Sequence, residues 1–305
     1  FVPGRGTVKG APAAAYRYRG VRTGARRPPR GYRATDFRIP SLEEVLRAFP
    51  KIPMNIEIKG RDGKDEAVYR RTAELLAGVL KRSGRRDIIV ASFEQPAIDR
   101  FHELAPNVPV APGIDGTADF LLSGKSPGPG VAAFQVPITF EFGSQKLTIT
   151  TPNFVKAAHE ANYAVHVWLS NDREDDATYR RLLRMCVDGI MAAKPKRLDR
   201  VLRALRGQDP CGTRVAGSRA TVASGRAVVP LKRQGQSLER RRGVVRLRMG
   251  GRPLGSGPFE LDSEESKVSV RVRLNARGRA ARGERVQVQV VERGRVVSRS
   301  TVRLG

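Results

Sequence analysis

Cysteine, histidine and tryptophan are scarce in this 305-residue chain, which holds two Cys, three His and one Trp. Two cysteines, Cys186 and Cys211, exclude a disulfide framework and a cysteine-rich zinc site, and leave room for one bridge. No apolar run is long enough to span a bilayer, and no secretory leader pattern is visible. The chain opens on Phe1 instead of Met, so a processed or partial chain is the expectation. Acids are also few, 30 Asp and Glu against 57 Lys and Arg, for a formal net charge of +27. That imbalance favours phosphoesters, anionic lipid headgroups or nucleic acid as partners, without choosing among them. It is also uneven: residues 212–305 hold 22 Lys and Arg against 7 acids, a net +15, which leaves +12 for the longer first part.

The length suits a barrel of ordinary size or two smaller domains, and the change of pattern along the chain favours two domains. Residues 1–38 read as a basic loop, AYRYRGVRTGARRPPRGYR with Asp36 as the single acid. Tyr16, Tyr18 and Tyr32 among the arginines suit stacking on single-stranded nucleic acid, but equally a basic insertion over an anionic site, and the second reading is favoured. From residue 39 the signals become regular. Ser41 with Glu44 three residues on is a capping box, followed by apolar Leu42, Val45, Leu46 and Phe49 at helical spacing. Strand and helix patterns then alternate to about residue 206, which predicts a parallel sheet with right-handed crossovers. Six strand positions can be counted: PMNIEIK, DIIVASF, VPVAPG, VAAFQVPI, YAVHVWL and DGIMA. Two more would complete a TIM-type barrel, so the expected fold is an α/β barrel lacking its first strands.

After a linker at 207–211 the period changes to two. KVSVRVRL puts Val268, Val270, Val272 and Leu274 on one face and Lys267, Ser269, Arg271 and Arg273 on the other. ERVQVQVVERGRVVSRSTVRL reads as strand, turn, strand, and a small antiparallel β-sandwich over 212–305 is predicted. Its arginine-rich outer face is a solvated surface or a binding face for an anionic polymer or membrane.

The most informative run is PMNIEIK, residues 53–59. Alternation along a strand sends Asn55, Glu57 and Lys59 one way and Ile56 and Ile58 the other. A carboxylate and an ammonium on one face of a strand flanked by helices would be costly without a purpose, and are tolerable at a barrel mouth where strand ends meet substrate. Trp168, the only tryptophan, shares its face of YAVHVWL with His166.

Four segments, IPSLEEVLRAFPKIPMNIEIKG, IIVASFEQPAIDRF, VHVWLSND and VDGIMAAKP, together resemble the glycerophosphodiester phosphodiesterase family, in its order and at its spacing. The resemblance implies metal-assisted hydrolysis of glycerophosphodiesters to glycerol phosphate and an alcohol, in lipid metabolism, by a secreted or cell-surface enzyme. It also implies that Glu57 ligates a divalent cation, Ca or Mg, that Lys59 contacts the phosphate, and that Trp168 lines the substrate pocket. Ser92 and Phe93 match a segment that packs beside the site, without a catalytic role. His166 is a catalytic candidate, a core histidine satisfied by a neighbour being the commoner outcome. The family's His-Arg-Gly run, Glu-x-Asp metal pair and His-Asp pair do not occur before PMNIEIK, and Ala192 and Ala193 stand where relatives often carry Thr-Asp. The implied partner is a glycerophosphodiester or phospholipid-derived substrate with no specific nucleic acid. The competing expectation is a non-catalytic module that binds polyanions or a membrane surface.

Overall fold

The structure is a computed structural model and describes residues 18–59, 65–142, 144–169, 174–205, 208–236 and 238–305. It divides into two compact units, Phe1–Met54 with Leu75–Asp87, and Asn55–Glu74 with Ile88–Gly305.

In the first unit the described part of the basic loop forms turns and a short 3-10 helix, Ala34–Phe37. Tyr18 and Tyr32 pack against Phe37 with ring centroids 5.2 and 6.0 Å apart, so both rings already have an aromatic neighbour. Tyr16 lies outside the described residues. Helix α1 (Leu42–Ala48) begins at Ser41, whose hydroxyl accepts from the Glu44 N–H while the Glu44 carboxylate accepts from the Ser41 N–H, the reciprocal cap that the spacing predicts. The Arg85 guanidinium donates to the carbonyls of Leu46, Phe49 and Ile52 and pairs with Asp87 at 2.6 Å. One side chain thereby satisfies the backbone of the irregular stretch behind α1. Among the described residues no strand precedes Met54.

The expected alternation follows. Strand β1 (Met54–Ile58) leads to helix α2 (Glu66–Ser83), strand β2 (Ile88–Ser92) and helix α3 (Gln95–Leu104). The third position, VPVAPG, is reduced to a bridge at Val110, which joins Val90 on one side and Val131 on the other, both parallel. Helix α4 (Ile114–Ser123), strand β3 (Ala133–Pro137) and a hairpin of β4 (Thr139–Phe142) and β5 (Gln145–Thr148) come next. They are followed by α5 (Pro152–Glu160), β6 (Ala164–Trp168), α6 (Asp176–Arg184), β7 (Gly189–Met191) and α7 (Pro195–Ala204). Strands β3, β6 and β7 are parallel neighbours, so an arc runs β1, β2, Val110, β3, β6, β7. Among the described residues β1 pairs only with β2 and β7 only with β6, so both ends of the arc are open edges.

Alternation divides this arc into two faces. Phe134, Val136, Val165 and Val167 pack outward against Phe154, Val155 and Ala158 of α5 and Leu182 of α6, all nearly inaccessible. Their neighbours Gln135, His166 and Trp168 face the interior with Asn55 and Glu57.

Residues beyond 212 form an all-β domain of strands β8 (Thr213–Val215), β9 (Arg219–Ala223), β10 (Arg226–Arg233), β11 (Arg241–Met249), β12 (Arg252–Leu261), β13 (Lys267–Leu274), β14 (Arg285–Glu292) and β15 (Arg295–Leu304), with a short helix α8 (Ala276–Ala280). The strand order is β13-β12-β11-β14-β15-β9-β10-β8, and β10 also pairs with β13 from Arg226↔Arg273 to Lys232↔Lys267. That pairing closes seven strands into a barrel and corrects the expected sandwich. Period-two patterning specifies which face of each strand is buried, and a sandwich and a closed barrel ask for the same alternation. Closure removes the open edges that a sandwich would keep. Within β13, Val270, Val272 and Leu274 are buried, Val268 packs at the core margin, and Lys267, Ser269, Arg271 and Arg273 are exposed, as the alternation predicts. The turn from β14 to β15 runs through Arg293 and Gly294, at φ 47° and 78°, the left-handed geometry of a two-residue hairpin loop.

Candidate functional site

At the carboxyl ends of the arc lies a cavity of about 560 Å³. Its polar pole comes from β1 and the residue that follows it: Asn55, Glu57 and Lys59 project from one face because each is two residues from the next. The Lys59 ammonium lies 3.4 Å from a Glu57 carboxylate oxygen, and both side chains stay solvent-accessible. Below them the Asn55 and Gln135 amides bond reciprocally across the interior at 2.9 and 3.0 Å, and the Asn55 NH2 also reaches the Met191 sulfur at 3.7 Å. Among the described residues strands β1, β3 and β7 share no ladder, and these side chains join them.

Aromatic groups form the next layer. Phe93 and Trp168 stack with centroids 5.7 Å apart, and the Lys59 ammonium stands 5.9 Å from the Phe93 centroid, within cation–π range. The Trp168 indole N–H donates to the Gln135 carbonyl at 3.2 Å, which fixes the ring plane. Ser92 donates to the Ile58 carbonyl at 2.9 Å and accepts from the Glu94 N–H at 3.2 Å, so it anchors the end of β2 and holds Phe93 in place.

The far wall is apolar. Helix α4 presents Ile114, Ala118, Leu121 and Leu122, and the hairpin adds Phe140 and Leu147. Leu122 is 83% exposed, and with the partly exposed Ile114 and Leu121 it makes an exposed apolar patch. The start of α4 is pinned by the Ile114 N–H donating to the Phe93 carbonyl and the Gly113 N–H to the Gln95 side chain. A Cβ on Gly113 would lie 2.6 Å from the Gln95 nitrogen, so glycine permits this close approach.

The three residues expected at the site, Glu57, Lys59 and Trp168, therefore line one cavity. His166 does not: it stands two residues earlier on β6, against Gly189, where a Cβ would come within 2.8 Å of its ring. Burial pushes its pKa down against the opposing pull of Asp188, which leaves the ring neutral near pH 7. Sequence reasoning gave no role to Gln135, to the aromatic pair formed by Phe93, or to the apolar wall. IDGTADFLLSG carries helical apolar spacing at Ile114, Ala118, Leu121 and Leu122 that could have indicated the wall.

Glu57 is the only acid among the described lining residues. A hard cation takes six or more oxygen ligands, and among the described residues no three His, Cys, Asp or Glu side chains gather to hold an ion. The described residues therefore do not fit a divalent-metal site by themselves.

An arc of parallel strands carrying polar groups at its carboxyl ends, backed by helices, is the architecture of part of a (β/α) barrel, the fold in which active sites lie at that face. The model of the glycerophosphoryl diester phosphodiesterase family matches residues 3–197, and the chain belongs to that family. Among solved structures, the chain is similar to the crystal structure of a proposed glycerophosphodiester phosphodiesterase from Galdieria sulphuraria, at 21% identity and a TM-score of 0.43. That likeness covers 54% of this chain and spans 64% of the other, somewhat under two thirds of its length. Comparison with curated proteins gives no match.

Proposed function

We propose that the cavity binds a glycerophosphodiester through its phosphate and that the chain acts on the ester bond as a phosphodiesterase. The observation that carries this reading is the placement of Lys59 and Glu57 side by side at the cavity's polar pole, in a chain that belongs to this family. The Lys59 ammonium supplies a point charge and three donors to the non-bridging phosphoryl oxygens, where charge develops during displacement at phosphorus. The Glu57 carboxylate positions Lys59 and can accept a proton from an attacking water. Displacement adds that water to phosphorus and breaks one P–O ester bond, and the leaving oxygen must then gain a proton. Among the described lining residues no histidine is placed to supply that proton, since His166 lies beneath the cavity. General acid–base groups typically contribute about 10²- to 10⁴-fold, so we expect this 305-residue chain to bind substrate and turn it over slowly. The test is titration of glycerophosphocholine into the purified chain by calorimetry, with release of glycerol phosphate followed separately. Saturable binding that Lys59→Gln weakens, with slow release, supports the reading. Binding that neither Lys59→Gln nor Glu57→Gln changes overturns it.

A second reading rests on the C-terminal barrel. Its strand register places like charges directly opposite each other at Arg226↔Arg273, Lys232↔Lys267 and Arg285↔Arg303. Such pairs destabilise a sheet unless a counter-charge covers them. An anionic membrane surface would provide it, with a strong dependence on salt. Co-sedimentation with vesicles containing phosphatidylglycerol, and none with neutral vesicles, is the expected result. Equal binding to both excludes it.

A further inference from the structure

The α6–β7 turn and the β domain meet around a cluster that the substrate cavity does not use. Helix α6 ends at Arg184 with Met185 as its C-cap, and Cys186 follows in the left-handed region at φ 68°. Glycine is the usual residue at that position, because a Cβ costs about 1 kcal/mol or more there. Cys186 is buried and directs its sulfur toward the Cys211 carbonyl at 3.8 Å. Cys211 is held in a tight turn, its N–H bonded to the Asp209 carboxylate at 2.9 Å, while the Asp209 N–H donates to the Val297 carbonyl of β15. The Arg241 guanidinium of β11 reaches both sulfurs through one nitrogen, Nη2, at 3.1 Å from Cys186 and 3.7 Å from Cys211. Its charge is further balanced by Glu239 and Glu292, each at 3.5 Å. The Gln236 N–H bonds to the Arg184 carbonyl at 2.7 Å and Gly235 packs directly on that carbonyl, so the β10–β11 loop rests on the end of α6.

We infer that Cys186 and Cys211 are a disulfide-forming pair that locks the end of α6 to the β domain. Both are thiols in this structure, and they are the only two cysteines in the chain. Hydrogen bonding to Cys186 and burial push the Cys211 thiol above the ordinary range. The oxidant is a low-molecular-weight disulfide, RSSR. Cys211, the more accessible of the two, must first give up the proton it shares with Cys186, and its thiolate then attacks one sulfur of RSSR, forming a mixed disulfide and releasing one RS⁻. The Cys186 thiolate, favoured by the adjacent guanidinium, then attacks the Cys211 sulfur and releases the second RS⁻. Both thiol protons leave with the released thiolates, so the sum is two protein thiols and RSSR giving one protein disulfide and two RSH. The closed loop encloses β7 and α7 between residues 186 and 211. A compartment outside the cytoplasm supplies such oxidants.

The test treats the purified reduced 305-residue chain with oxidised glutathione at pH 8, then measures intact mass and titrates thiols in denaturant. The expected product is a monomer lighter by two hydrogens, without a glutathione adduct, that melts roughly 5 °C or more above the reduced form and is reopened by dithiothreitol. Cys186→Ala should instead leave a stable single glutathione adduct on Cys211, because the second attack cannot occur. A stable adduct on the parent chain, a disulfide-linked dimer, or two thiols that remain titratable would each overturn the inference. The mass measurement on the parent chain needs no variant, so it decides the matter even if Cys186→Ala does not fold.

Discussion

The chain contains two curved sheets that treat their interiors in opposite ways. The first, from β1 to β7, leaves both edges open among the described residues and lines its inside with Asn55, Glu57, Gln135 and Trp168 around a cavity. The second, from β9 to β15, closes on itself through β10 and β13 and fills its inside with aliphatic side chains such as Val229, Leu247, Val272 and Val288, all fully buried. A closed ladder satisfies every interior backbone group, so its side chains are left to exclude water. In the open arc the mouth keeps water, and there a charged pair costs little and can meet a ligand. The filled core and the candidate site thereby lie in different parts of one chain.

The most damaging way to break the comparison is to open the filled interior. Leu247→Ala is expected to cost about 2–5 kcal/mol by chemical denaturation, since Leu247 is completely inaccessible and a cavity would remain. In the arc, Leu122→Ala should change stability by less than about 0.5 kcal/mol. A comparable loss at both positions would mean that the wall of the arc is a core in its own right. Next in size is Gly113→Ala, expected to cost about 1–3 kcal/mol because its Cβ would meet the Gln95 backbone at 2.6 Å. It should also weaken ligand binding, since it displaces the start of α4. Binding left intact in a destabilised variant would separate α4 from the site.

Lys59→Gln should reduce affinity for a glycerophosphodiester about tenfold, or 1.4 kcal/mol, while leaving the melting temperature unchanged. A lower melting temperature at unchanged affinity would turn Lys59 into a structural residue. The smallest expected effect concerns His159 of α5, held between the carboxylates of Asp188 and Glu239. Hydrogen bonds to Asp188 and then Glu239 raise its pKa from 6.5 to about 9 despite burial. A raised pKa stabilises the fold fully below the unfolded value and loses that contribution as pH rises through the folded one. The parent chain should therefore melt a few degrees above His159→Gln at pH 6. The gap should close between about pH 6.5 and above 9, and a gap that widens over this range would contradict the charged triad.

Much of this was written locally. The Ser41–Glu44 cap, the strand–helix alternation from residue 39, the shared face of Asn55, Glu57 and Lys59 and the buried stripe of β13 each depend on spacing along a single segment. Periodicity of 3.6 or 2 fixes such features before any long-range contact exists. The family, too, was legible, because its motifs are short runs at strand ends. Closure of the C-terminal barrel was not. Alternation names the buried face but not which strand finds which edge, so β10 pairing with β13 had to come from tertiary packing. The same holds for the Asn55–Gln135 bond across 80 positions, for the Phe93–Trp168 stack, and for the meeting of Cys186, Cys211 and Arg241. The sequence by itself determined which side chains share a face, and only the folded chain decided which faces meet, because contacts between distant segments form by closing loops whose ends carry no local signal.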